Sequence, residues 1–259
     1  MCRIAAYLGP PVSLKRFLVD PPHSLVHQAW APEELRYARL NADGYGFAWF
    51  GRDAAPALYV NPLPIWSDPN LAPLARNLAS DLWIASVRSA TEGSAVSHAN
   101  TQPFCDSELI FTHNGFIRGF QLGVRKHLTD RLSAEINAAV KGHTDSEYLF
   151  ALLRQILKED SELSIESALI ELSRQVDATI DGNATLLNFI VSEGTRLYAM
   201  RHALNDPCPS LYYTTDDESF PGGQLIASER LDPSEFWQPV PEHHLLILDP
   251  DEPPELIAL

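Results

Sequence analysis

A cysteine stands at position 2, directly behind the initiator. Residue 2 is small, so Met1 is expected to be removed, which would make Cys2 the first residue of the mature chain. A free α-amine has an ordinary pKa of about 7.7–8.0, so part of it is neutral near neutral pH. Carried on the same residue as the thiol, it can act as the base that activates that thiol. One residue would then be both nucleophile and base. Taken alone, Cys2 reads better as an incidental cysteine in an edge strand; the nucleophile reading needs further segments.

Further segments carry groups that complete such a chemistry. Arg88, opening Arg88-Ser-Ala-Thr91, can hold a carboxylate in a planar fork, or can serve as a structural ion pair. In His113-Asn114-Gly115, the Asn114 amide and the Gly115 N–H can donate to an oxyanion, although Asn-Gly is also a strong hairpin-turn signal. Thr144-Asp-Ser-Glu147 reads as a capping box, with Thr144 as N-cap and Glu147 three residues on. Asp145 then sits in the first helical turn and is free to grip an ammonium group. The ligand these groups fit is a γ-glutamyl amide. Arg88 would take its α-carboxylate and Asp145 its α-ammonium. Cys2 would attack the γ-carbonyl while Asn114 and Gly115 stabilise the oxyanion.

The elements that must position these residues follow from periodicity. Strands are expected over residues 2–8, 45–50, 82–90 and 108–115, the last ending in the Asn-Gly turn. Ser13 is expected to cap a short helix, and residues 70–80 have helical spacing. Helices are expected over 129–140, 144–159 and 163–180, where apolar residues recur at i, i+3 and i+4. The last third returns to strands, and the segment from Pro233 to Pro254 reads as a wrapping or mobile terminus. Strands, then helices, then strands predict two layers of sheet with helices outside, an α+β arrangement without a βαβ repeat. Residues 1–259 read as one domain.

Composition sets outer bounds. The 259 residues include 34 acidic and 19 basic side chains, a formal net charge of −15. Such a surface repels phosphate backbones, so no nucleic-acid partner is expected. No apolar run approaches the ~20 residues that span a bilayer, and the start of the chain is too short and too soon broken by Pro10-Pro11 for a signal peptide. A cytoplasmic protein with no membrane partner is expected. Cys2, Cys105 and Cys208 do not form a disulfide framework or a zinc knuckle. Cys105 and Cys208 read as inert thiols, and His243-His244 lack convergent partners, so no metal and no cofactor are expected. Gly44 and Gly46 do not form a phosphate loop. Ser228-Glu229 reads as a strand end or as an active-site wall.

Six ordered segments together resemble the class II glutamine amidotransferases of the N-terminal nucleophile hydrolase superfamily. They are Cys2-Arg3, Asn41 to Gly46, Arg88 to Thr91, Asn100-Thr-Gln-Pro-Phe104, His113 to Gly115 and Thr144 to Glu147. The resemblance implies a four-layer αββα sandwich of two antiparallel sheets. It implies Cys2 as nucleophile, Asn114 and Gly115 as oxyanion hole, and Arg88 and Asp145 as glutamine-binding pair, with Thr91 and His113 also on the substrate side. Asp20 to Leu25 and Pro64 to Asn70 resemble the stand-alone branch that contains an ergothioneine-pathway hydrolase acting on a γ-glutamyl hercynylcysteine sulfoxide. The loop Asn100 to Phe104 is closer to generic members, which leaves the leaving group open. Three readings stand side by side: a γ-glutamyl amidohydrolase, a glutaminase subunit supplying ammonia to a separate synthase partner, and a non-enzymatic γ-glutamyl ligand binder.

Overall fold

The computed structural model describes residues 2–51, 54–91, 93–180 and 182–259. The chain first lays down β1 (Arg3–Ser13), α1 (Leu14–Leu18), α2 (Leu25–Trp30), β2 (Tyr45–Phe50), β3 (Pro56–Asn61), α3 (Leu71–Asn77) and β4 (Ala79–Val87). It then crosses to a second sheet with β5 (Phe104–Cys105) and β6 (Ile110–Ile117). The helices α4 (Val124–Thr129), α5 (Ala134–Ala139), α6 (Asp145–Glu159) and α7 (Ile165–Asp177) follow. After β7 (Thr185–Ser192), β8 (Leu197–Arg201) and β9 (Ala203–Leu204), the chain returns to the first sheet as β10 (Tyr212–Thr214), β11 (Gln224–Ala227) and β12 (Gln238–Pro239). It closes the second sheet with β13 (His244–Asp249) and β14 (Glu252–Ala258).

The first sheet runs β12-β10-β11-β1-β4-β2-β3 and the second β14-β13-β8-β7-β6-β5, with β9 beside β7. Strand alternation explains the layering. In β1, Ala5 and Tyr7 pack with Leu14, Phe17, Leu18 and Leu25 of the first helical layer. Ile4, Ala6 and Leu8 face the second sheet and meet Ile110, Ile190, Ala199 and Leu246. The outer face of the second sheet, with Phe111, Leu187, Phe189 and Met200, packs on Leu149, Leu153, Leu169 and Leu172 of α6 and α7. Three apolar interfaces between four layers make the αββα sandwich, with helices on both outer faces.

Several boundaries differ from the sequence expectation. β1 does not stop at residue 8; it continues past Gly9-Pro10-Pro11 to Ser13, with its register to β4 shifting between Leu8 and Val12. An irregularity of this kind is where a strand tolerates residues that cannot donate to the ladder. α2 and β3 were not foreseen. α2 has only six residues, too few for periodicity to register. Residues 129–140 fall at the end of α4 and in α5, separated by a turn. The Pro-rich segment carries β12, at the edge of the first sheet, and then enters the hairpin of β13 and β14; β14 is an edge strand, where Pro253 and Pro254 need not donate inward. Among the described residues, no helix is long and apolar enough to cross a membrane.

Candidate active site

The second sheet holds the decisive strand. β6 does not turn at Asn114-Gly115; it runs straight through to Ile117, with Asn114 opposite Asn188 and Gly115 opposite Leu187 on β7. The turn reading therefore fails. A Cβ on Gly115 would come within 1.9 Å of the Leu186 carbonyl oxygen and 2.3 Å of the His113 ring. Glycine is needed there for close approach to β7, and not for a turn.

The other edge of β6 is finished by side chains. The His113 N–H donates to Gln102 Oε1 at 2.5 Å, and Gln102 Nε2 returns a bond to the His113 carbonyl at 2.9 Å. Two residues beyond Gly115, the Ile117 N–H donates to Asp145 Oδ2 at 2.8 Å. The Leu187 N–H donates away from β6, to His202, so the Gly115–Leu187 pair is not hydrogen-bonded. The Gly115 N–H therefore points the same way as those of His113 and Ile117. Between the two occupied donors, it has no acceptor among the described residues.

Asn114 faces the opposite side, into the space between the sheets. It is fully buried, and neither end of its amide has a partner among the described residues. Cys2 directly precedes β1, and the alternation of Ile4 and Ala6 continued backwards turns it toward this same space. Cys2 is 7% exposed. Its carbonyl accepts a 2.7 Å bond from Arg3 Nε, and Arg3 is itself held by Glu229 at 2.9 Å. Met1, whose removal the mechanism needs, lies outside the described residues.

Arg88 follows β4 and is 4% exposed. Its guanidinium donates to Ser94 Oγ at 3.0 Å and to the carbonyls of Asp43 and Ala95 at 3.3 and 3.4 Å. Among the described residues no carboxylate lies within salt-bridge distance of it. Burial pushes its pKa below the ordinary value, while the charges of Cys2, Asp43 and Asp145 pull the other way; the group stays cationic at neutral pH. The turn of Asn41 to Gly46 positions it. The Asp43 carboxylate accepts from the Ala90 N–H at 2.8 Å, and the Arg88 N–H donates to the Gly44 carbonyl at 2.8 Å.

Asp145 opens α6 as expected, with Thr144 as N-cap accepting from the Glu147 N–H at 3.2 Å. The capping box is only half formed. Glu147 does not reach back to the Thr144 N–H; it accepts from the N–H groups of Lys141 and Gly142, both at 2.7 Å. Asp145 is half-buried and holds the end of β6 through Ile117, so the two elements are locked together.

Cys2, Arg88, Thr91, Gly115 and Asp145 line one cavity of about 650 Å³, along with Asn100, Gln102 and Ser146. Neither His113 nor Asn114 lines it: Asn114 lies fully buried beside Gly115 between the sheets, and His113 is turned away from the expected contact with substrate. Its ring is fully buried on the helical side of β6, with Nε2 against the Leu186 carbonyl at 2.8 Å and Nδ1 against Ser146 Oγ at 2.9 Å. A carbonyl only accepts, so Nε2 carries the proton and Nδ1 accepts from Ser146. Burial pushes the ring below its ordinary pKa, which favours this neutral form. His113 thus positions the start of α6.

Two features escaped the sequence reading. Gln102 lies in a segment that resembles the family, but its role was not assigned, and only its bonds to His113 reveal that it completes the edge of β6. Glu229, open between strand end and active-site wall, is a buried hub. It pairs with Arg3 and with His23 at 2.8 Å, and accepts from the N–H groups of Glu33 and Glu34 at 2.8 and 3.0 Å. Away from the cavity, Cys208, Glu242 and His243 bring ligand-type atoms within 4.8 Å of one another, although Glu242 also faces Arg201 at 3.5 Å.

The profile of the class-II glutamine amidotransferases matches residues 24–225. The chain belongs to that family. It is 30% identical over 255 residues to the γ-glutamyl-hercynylcysteine sulfoxide hydrolase of Mycolicibacterium smegmatis, covering 95% of each chain. It is 31% identical to a probable glutamine amidotransferase of Saccharomyces cerevisiae, over 90% of this chain and 73% of that one. Among solved structures, a glutamine aminotransferase class-II domain protein from Silicibacter pomeroyi superposes with a TM-score of 0.70 at 26% identity, over 99% of both chains. The family and these relatives make this class II glutamine amidotransferase an amidohydrolase with the N-terminal nucleophile fold.

Proposed function

We propose that this amidohydrolase cleaves γ-glutamyl amides through a thioester on Cys2, and that its natural substrate belongs to the chemical class of γ-glutamyl-hercynylcysteine sulfoxide. The observation that carries the reading is the Gly115 N–H, left without an acceptor between Gln102 and Asp145 and facing the cavity that Cys2 lines. An unpaired donor at that place is what a developing oxyanion requires.

The substrate's α-carboxylate binds the Arg88 guanidinium and its α-ammonium the Asp145 carboxylate. The α-amine of Cys2, freed by loss of Met1, takes the thiol proton. The sulfur attacks the γ-carbonyl, and the carbonyl oxygen becomes an oxyanion held by the Gly115 N–H and the Asn114 amide. The C–N bond breaks as the leaving nitrogen receives the proton. Water then attacks the thioester with the same amine as base, releasing glutamate and restoring the thiol. The expected location is the cytoplasm, where the thiol stays reduced.

The test is intact-mass analysis after exposure to a glutamine-like electrophile, paired with glutamate release from glutamine and from γ-glutamyl amides. One adduct that maps to Cys2 is expected, with all turnover lost in Cys2→Ala. Turnover that survives in that variant would remove Cys2 from the mechanism. A separate synthase partner fed with ammonia is the second reading, and it requires glutaminase activity that rises when the partner is added.

A further inference from the structure

Away from the Cys2 cavity, two segments cross between the sheets. The one from β9 to β10 carries Cys208, and the one from β12 to β13 carries Glu242 and His243. Spacing along the chain offers His243 no convergent partner, but the fold supplies three. One ligand-type atom each from Cys208, Glu242 and His243 fall within 4.8 Å of one another. His202, between β8 and β9, adds a fourth group, with its Nδ1 2.9 Å from His243 Nδ1. The frame around them is fixed. Arg201 Nε donates to the Pro209 carbonyl at 2.8 Å and its Nη1 to the Val240 carbonyl at 2.7 Å, so one guanidinium ties the two crossing segments together. Cys208 is fully buried between Pro207 and Pro209. The His202 carbonyl accepts from the Leu187 N–H and the His243 carbonyl from the Leu259 N–H, both at 2.9 Å. His243 holds φ at +58°, in the left-handed region that a residue with a Cβ seldom takes. Such strain persists only where the surroundings fix it, and it clusters at functional sites.

The donor set selects the ion. A thiolate with imidazoles and one carboxylate suits Zn²⁺, whereas Mg²⁺ and Ca²⁺ take oxygen ligands. Zinc bonds of about 2.0–2.3 Å in a tetrahedron put ligand atoms roughly 3.3–3.8 Å apart. The separations here, from 2.9 Å between the two imidazoles to at most 4.8 Å among the other groups, bracket that range. Glu242 and His243 are exposed and have room to turn inward. The one ion pair of Glu242 among the described residues is a 3.5 Å surface contact with Arg201, a weak competitor. We infer that Cys208, Glu242, His243 and His202 form a zinc site that staples the two crossing segments to each other. Four protein ligands close the coordination sphere, which makes the site structural. Cys208 binds as the thiolate and releases its proton to solvent. The site shares no residue with the Cys2 cavity, so it stands or falls independently of the amidohydrolase reading.

The test uses the full chain carrying Cys2→Ala, so that the thiol of the cavity cannot supply a sulfur ligand. The protein is stripped with a chelator and titrated with Co²⁺, then with Zn²⁺. One equivalent of Co²⁺ is expected to produce a thiolate-to-cobalt charge-transfer band and the visible bands of a four-coordinate ion. Zn²⁺ is expected to abolish both and to raise the thermal midpoint, since an ion that binds the folded chain stabilises it. Adding Cys208→Ser is expected to remove the charge-transfer band. His243→Asn keeps a residue that tolerates the left-handed region, so its metal-free midpoint should stay near the parental one. Zn²⁺ affinity is expected to fall at least about tenfold in His243→Asn and in Glu242→Gln, the lower end of what is lost when even a group behind a metal ligand is removed. If Cys208→Ser does not fold, these two surface variants decide. A parental chain that gives no charge-transfer band would overturn the inference. So would a band that survives Cys208→Ser, or an affinity unchanged in both surface variants.

Discussion

A buried amide with neither end hydrogen-bonded destabilises the protein that contains it, by about 1–3 kcal/mol for an unsatisfied group. Among the described residues, Asn114 is such a group. The Asn188 side chain opposite it gives both of its hydrogens to carbonyl oxygens, at Pro209 and Ser210. Under the proposed mechanism the Asn114 amide meets its partner only when a substrate carbonyl becomes an oxyanion. Asn114→Ala is therefore expected to lower kcat by about 10²–10³-fold, the usual cost of one oxyanion donor. The thermal midpoint should hold or rise, because the group removed has no partner to lose. Steady-state kinetics and calorimetry on the same preparation check both halves. A large fall in the midpoint would mean that Asn114 is a structural residue.

At the scale of the element, His113, Gly115 and Ile117 present N–H groups on the side of β6 that runs on beyond β5, and their fates differ. Gln102 takes the first, Asp145 takes the third, and Gly115 is left open between them. The contact with the Leu186 carbonyl that forbids a Cβ at Gly115 is backbone against backbone, so it cannot yield by a rotamer change. Gly115→Ala should cost about 3 kcal/mol or more, an overpacking penalty at the upper end of the usual range, read as a lower urea midpoint. The Asn-Gly pair was legible as a feature of interest, yet local chemistry favoured a turn. Pairing with the full length of β7 overrode that preference. The half-formed capping box has a similar cause: Lys141 and Gly142, brought close by the preceding loop, offered Glu147 two donors in place of one.

For the whole molecule, Glu229 ties the start of β1 to α2 and to the loop after it. Burial pushes its carboxyl up, but the bond from His23, the Arg3 charge and the two backbone N–H groups outweigh that and hold it below its ordinary value. Glu229→Ala leaves the buried Arg3 charge without its partner and should cost about 3–5 kcal/mol. Activity should fall as well, because Arg3 carries the Cys2 carbonyl. The pH dependence follows from sign. His202 is held down to about 4, first by burial and then by His243. An unfolded histidine takes its proton near pH 6.5, so this contribution is complete above about 6.5 and drains away as pH falls toward 4. Glu229, with a lowered folded value, contributes fully above the ordinary carboxylate range and is lost as pH falls through that value. Urea midpoints measured from neutral to acid pH should therefore decline in two stages. The first stage should shrink in His202→Gln, with the buried His113 supplying the remainder, and the second should shrink in Glu229→Gln.

The sequence by itself determined the place of Cys2, the proposed nucleophile, the segments that mark the family, and the alternation that sorts each strand residue to a helical or an inter-sheet face. These are local properties, carried by residue type and spacing. Only the tertiary structure decided which of those residues share the cavity. It put His113 behind β6 and left the Gly115 N–H without an acceptor among the described residues. It also paired Arg3 with Glu229, 226 positions away. Each of these depends on register, on the direction in which a backbone donor points, or on a contact between distant segments. Short-range propensity holds no information about any of the three.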